Sequence, residues 1–207
     1  KNGKNAVIIM DRPEDMNALN EDVMKQLHLK FTEAENDSTV ENIILTGSGK
    51  AFVAGADIKF FVKNIKADSI DKIEEFTKYG QQVLNQIDIS DKKVVVILNG
   101  MALGGGMELA LCADVLLAVP KSMIAFPETG IGIYPGLGGT QRTRERIGEG
   151  LAKYIVYTGK MLSSKAALSM GLIDGIISPF QMYDMLEGRE DLPSKSEQNL
   201  TDDLKAI

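Results

Sequence analysis

Two side chains that dominate metal and redox sites are nearly missing: the chain has one cysteine, Cys112, and one histidine, His28. A lone cysteine excludes an intramolecular disulfide and fits a reducing cytoplasm, the expected location. With a single histidine beside it, a zinc or other His/Cys metal site is not expected. No apolar run approaches the length needed to cross a bilayer, so no membrane span is expected. The N-terminus KNGKN leads straight into a short apolar run without a signal-peptide pattern, and the missing initiator Met points to a trimmed or excised chain. An excess of positive charge is also lacking. Net charge is −6 and the pI about 4.9, against the basic surface that nucleic-acid binding requires, so no nucleic-acid partner is expected.

Glycine is plentiful, at 20 residues, yet the common glycine signatures are absent. The phosphate-loop pattern GxxxxGK[ST] fails because Gly49-Lys50 precedes Ala51 and Gly159-Lys160 precedes Met161. The dinucleotide pattern GxGxxG fails at Leu109 and at Pro135. No Gly-x-Ser-x-Gly nucleophile elbow occurs.

What remains is a chain of 207 residues, 44% hydrophobic and 25% charged, long enough for one core and ordinary for a globular protein. Strand-like runs at Ala6 to Met10, Asn42 to Thr46, Val94 to Leu98, Val115 to Val119 and Met123 to Phe126 alternate with helical patterns. Asn20 is placed to cap a helix carrying Val23, Leu27, Phe31 and Ala34 on one face. A second helix, from about Ser69 to Ile87, puts Ile70, Ile73, Phe76, Val83, Leu84 and Ile87 near one stripe. TQRTRERI and LAKYIVYT read as helices, and Ser163 or Ser164 can cap another that stops at Gly171. The order predicts an α/β fold. Periodicity suggests a doubly wound sheet and does not distinguish it from a ββα spiral. From Pro179 onward the chain is polar apart from a short apolar patch at Met182 to Leu186 and reads as an extension or linker, giving a core at 1–178 and an extension at 179–207.

Three segments carry candidate chemistry. In Phe52-Val53-Ala54-Gly55-Ala56-Asp57, small residues let a ligand approach the main chain. In Ala102-Leu103-Gly104-Gly105-Gly106-Met107-Glu108, three glycines ahead of a helix expose amide N–H groups. One amide from each segment can bind a developing oxyanion. In Ala125-Phe126-Pro127-Glu128-Thr129-Gly130, Glu128 supplies a second carboxyl. Two carboxyls converging on one pocket divide acid and base duties when their surroundings push their pKa values apart.

These segments, FVAGAD, ALGGGMELA and FPETGIGIYPGLGGTQR, resemble in order the landmarks of the crotonase (enoyl-CoA hydratase/isomerase) superfamily, over roughly 5–177. The resemblance implies a crotonase-like ββα spiral core with C-terminal helices short or missing, usually assembled as a homotrimer or hexamer. It implies that Ala54 and Gly105 donate the oxyanion-hole amides and that Glu108 and Glu128 are the catalytic acids. Met16, Ala18, Ala56, Asp57 and Ile58 match positions lining the coenzyme A site. The implied activity is hydration of a 2-enoyl-CoA to a 3-hydroxyacyl-CoA, with no cofactor beyond the coenzyme A of the acyl-CoA substrate. Family members normally continue with further C-terminal helices, so the chain is expected to be part of a longer protein, for example one fused to a 3-hydroxyacyl-CoA dehydrogenase.

Two other functions compete. A 3-enoyl to 2-enoyl-CoA isomerase commonly needs one acid, and both glutamates are present. A catalytically idle scaffold or RNA-binding relative would have lost an acid. Blander readings apply elsewhere: Cys112 reads as core, His28 as partly exposed and structural, and Arg142, Arg144 and Arg146 as a solvated helix face, with phosphate contact the alternative.

Overall fold

The computed structural model describes residues 2–194. A five-stranded, all-parallel sheet is formed by β1 (Asn5–Met10), β2 (Asn42–Gly47), β4 (Lys93–Leu98), β6 (Val115–Ala118) and β9 (Gly175–Ile176), in that spatial order. A four-stranded sheet holds β3 (Ala51–Ala54), β5 (Met101–Leu103) and β7 (Met123–Ala125) in parallel, with β8 (Leu162–Ser163) antiparallel at its edge. Each of β2, β4 and β6 runs within a few residues into β3, β5 or β7, so the chain steps from one sheet to the other before returning. That repeated step makes the fold a spiral rather than a doubly wound sheet.

The helices close each turn. In α1 (Glu21–Asn36), Asn20 caps the start by accepting from the Val23 amide, and Met24, Leu27, Phe31 and Ala34 are buried. After β3 come α2 (Ile58–Lys66) and α3 (Ile70–Asp88), after β5 comes α4 (Gly105–Ala110), and after β7 come α5 (Gly139–Ile147) and α6 (Glu149–Thr158). Helix α7 (Ser164–Ser169) is capped by Ser163. The apolar stripe expected on α3 is buried at Phe76, Val83, Leu84 and Ile87, but Ile73 is half-buried and Ile70, in the first turn, is 54% exposed.

Side-chain alternation along the five-stranded sheet explains its unbroken apolar runs. Ile43, Leu45, Val94, Val96, Leu98 and Leu116 face the main core, and Ile44, Val95, Ile97, Val115 and Leu117 face the other way. A sheet buried on both faces needs a cover on each. On the second face the cover is α8 (Pro179–Leu186), with Met185 buried and Met182 and Leu186 packed beside it. The expected polar linker after residue 178 is therefore a helix over its first eight residues. Ser178 and Gln181 form a reciprocal capping box at its start, and Pro179 occupies its first turn. The rest of that expected extension, 195–207, lies outside the described residues.

Candidate active site

Glu108 and Glu128 are brought to one place. Glu108 sits on α4 and is 2% exposed. Its Oε1 accepts two backbone N–H groups, from Leu137 and Gly139, each at 2.7 Å. Gly139 opens α5, so the carboxyl faces the positive end of that helix. Burial raises the Glu108 carboxyl from its ordinary 4.5 to about 7, the two amides pull it down, the Glu128 charge pushes it up and Arg142 pulls it down.

Glu128 lies in the single-turn helix Pro127–Ile131 that follows β7. Thr129 holds this turn to the end of α6 by donating to the Val156 carbonyl at 3.2 Å. Burial raises the Glu128 carboxyl too. Its Oε2 is buried without a hydrogen-bond partner among the described residues, which favours the protonated form. The Glu128 carboxyl leans on Gly104: a Cβ built there would stand 2.4 Å from its Oε1. Gly104 also has φ +48°, so only glycine suits this junction between β5 and α4.

The amide geometry corrects one expectation. The Ala54 N–H donates to the Met16 carbonyl at 3.0 Å and is committed to holding the chain together. Residues 16–19 lie beside 54–57 like a short added strand. Leu19 donates to the Gly55 carbonyl at 2.9 Å and accepts from the Asp57 amide at 2.8 Å. In a parallel bridge of this pattern the intervening residue, Ala56, turns its own N–H to the opposite side. A Cβ built on Gly105 would stand 3.8 Å from the Ala56 nitrogen. The amide that borders Gly105 is thus that of Ala56, expected only as a coenzyme A contact.

The other expected binding residues frame this edge. Met16 is half-buried with φ +55°, Ala18 is buried, Asp57 caps α2 by accepting from the Lys59 amide, and Ile58 is 67% exposed. Sequence reasoning missed Asn17, whose buried Nδ2 reaches the carbonyls of Ser48, Ala51 and Phe52 at 2.8–3.1 Å while its Oδ1 accepts from Arg12. It also missed the Leu137 and Gly139 amides. The glycine-before-helix logic applied to 104–106 applies equally to LGGTQR and would have found them. The arginine expectation fails in part: Arg144 is exposed, but Arg142 is buried and Arg146 lies within an ion pair with Asp174. Cys112 is core, its thiol pushed up to about 12 by burial, and His28 is half-buried against Tyr79.

A two-sheet spiral that sets two neighbouring amides beside two carboxyls of raised proton affinity defines an acid–base site for a carbonyl compound. Comparison with known proteins agrees. The family model described as enoyl-CoA hydratase/isomerase matches residues 1–200. A crotonyl-CoA hydratase of Syntrophomonas wolfei is 41% identical over 183 residues, 88% of this chain and 69% of the relative. A short-chain-enoyl-CoA hydratase of Clostridium acetobutylicum is 39% identical over the same shares. The crystal structure of enoyl-CoA hydratase from Bacillus anthracis superposes with a TM-score of 0.83 at 29% identity, covering 89% of this chain and 70% of that one. The enzyme from Thermoplasma volcanium gives 0.83 at 32%, covering 93% and 76%. The chain belongs to the enoyl-CoA hydratase/isomerase family.

Proposed function

We propose that the chain hydrates a 2-enoyl-CoA thioester to the 3-hydroxyacyl-CoA. The observation that carries this reading is a pair of carboxyls of raised proton affinity, Glu108 buried against Gly139 and Glu128 half-buried against Gly104, near enough for the Glu128 charge to act on Glu108, with the Ala56 and Gly105 amides alongside. Water adding to C3 of the enoyl group drives negative charge onto the thioester oxygen. The N–H groups of Ala56 and Gly105 receive that charge, and losing one such donor costs about 3–4 kcal/mol of barrier.

The two carboxyls take different roles because their surroundings differ. Glu108 has amide donors and a helix start to hold its charge, so it is the base that takes a proton from the attacking water. Among the described residues Glu128 Oε2 has no such donor, and burial favours the proton that it delivers to C2. Oxygen and hydrogen enter from the side on which both carboxyls stand, a syn addition. The chemistry needs no cofactor beyond the coenzyme A carried by the substrate. The retained second acid favours hydration over isomerisation, which needs one.

The names of the two relatives make a short-chain substrate the first to assay. Incubation with crotonyl-CoA, followed by the loss of the conjugated thioester absorbance, is expected to show hydration. Turnover of a 3-enoyl-CoA without hydration of the 2-enoyl isomer would contradict the proposal.

A further inference from the structure

We propose that Arg142 is a positioning residue for Glu108, gripping the loop whose amides hold that carboxyl and linking it to α3. The inference deepens the hydratase reading and rests on it for its kinetic arm.

Arg142 is only 8% exposed, although it stands on a short, strongly polar helix. Each guanidinium nitrogen has a partner. Nη1 donates to the Leu137 carbonyl at 2.9 Å, Nη2 to Asn85 Oδ1 at 2.7 Å and Nε to Asp88 Oδ2 at 3.0 Å. The Leu137 carbonyl belongs to the peptide between the two whose N–H groups bond Glu108. Fixing that central peptide fixes both donors. The approach is close enough to dictate sequence: a Cβ on Gly138 would stand 2.3 Å from Nη1, and Gly138 has φ +99°.

The other end of the grip is a polar stripe on α3. Gln81, Asn85 and Asp88 fall at i, i+4 and i+7, one face of the helix. Gln81 donates to the Gly136 carbonyl at 2.7 Å, while Asn85 and Asp88 reach the same loop through Arg142. A lysine could meet one of these acceptors; the planar fork of arginine meets all three.

The charged and titratable groups around Glu108 are few. Glu128 faces it from the turn after β7, Arg142 from α5 and Cys112 from the end of α4, and Asp88 on α3 pairs with the guanidinium. Arg142 is the one cation among them in the described residues. Its loss makes the Glu108 carboxylate harder to form.

The test compares Arg142→Gln, Arg142→Lys and Asn85→Ala with the parent protein in crotonyl-CoA hydration across pH. Arg142→Gln is expected to lower kcat about 10- to 100-fold, with KM within about twofold and the acid limb of the rate profile moved to higher pH. Arg142→Lys keeps the charge, so its acid limb stays near the parent's while kcat recovers only in part. Folded Arg142→Gln with an unmoved acid limb, or Lys and Gln shifting it equally, overturns the proposal. If Arg142→Gln does not fold, Asn85→Ala decides: a fall in kcat with KM held supports the grip, and parental kcat overturns it. Carboxyl ¹³C NMR titration of Glu108, assigned by the signal lost in Glu108→Gln, separates the two readings. No hydration by the parent protein removes the proposed function, whereas a Glu108 titration untouched by Arg142→Gln removes the role of Arg142.

Discussion

The burial that readies Glu108 for proton transfer also costs stability. Its folded carboxyl is raised to about 7 from 4.5, so between those values the folded state binds more protons than the unfolded state. Stability from this group is full below about pH 4.5 and is lost as pH rises through 7. Glu108→Gln keeps an oxygen acceptor for the Leu137 and Gly139 amides but has no charge to bury. It is expected to be more stable than the parent at pH 8 by up to about 3 kcal/mol, with the gap closing towards pH 4.5. Thermal melts at the two pH values check this; a variant less stable than the parent at pH 8 contradicts it. Both glutamates were legible in the sequence because each adjoins glycines or proline in a recognisable landmark. The choice between the Ala54 and Ala56 amides was not. It depends on residues 16–19 lying beside 54–57, a pairing between segments far apart in the chain. Arg142 misled for a related reason: the helix alone looks solvated, and the loop and α3 that bury it are distant in sequence.

At the scale of elements, the site depends on an irregular segment more than on any helix. Asn17 has φ +59° and is 1% exposed, and its side chain ties the 12–19 loop to the corner that leads into β3. Asn17→Ala leaves buried carbonyls without their donor and places alanine in a left-handed conformation. The expected cost is about 2–4 kcal/mol, read as a lower midpoint of urea unfolding, with activity lost because the Ala56 amide loses its frame. An unchanged midpoint would contradict that role. Most long elements were legible from apolar spacing, with their caps at Asn20 and Ser163. Strands β5, β8 and β9 are two or three residues long, too short to carry a period. Helix α2 was also missed. Its exposed Ile58, Val62 and Ile65 blur the contrast that periodicity needs.

For the whole molecule, the unbroken apolar run at 94–98 carried more information than a strand assignment. A parallel strand apolar on both faces requires two covers, and α8 supplies the second from sequence that otherwise looks polar. Met185→Ala opens a cavity on that face and is expected to cost about 2–5 kcal/mol, measured by denaturant unfolding; a change within about 0.5 kcal/mol, as at a surface site, would show that α8 is not a structural cover. Among the described residues no helix is long and apolar enough to cross a membrane. The alternation of strands and helices gave the α/β class, but the step between two sheets rests on pairings that no local window contains. Only the resemblance in the three landmarks pointed to the spiral.

The most direct measurement of the central claim is the turnover number for crotonyl-CoA hydration by the parent protein, Glu108→Gln and Glu128→Gln, each shown to be folded. A base and an acid acting on one double bond predict a fall of about 10²- to 10⁴-fold in each variant, with product carrying one added water in the parent. Full hydratase turnover in either folded variant would contradict the account.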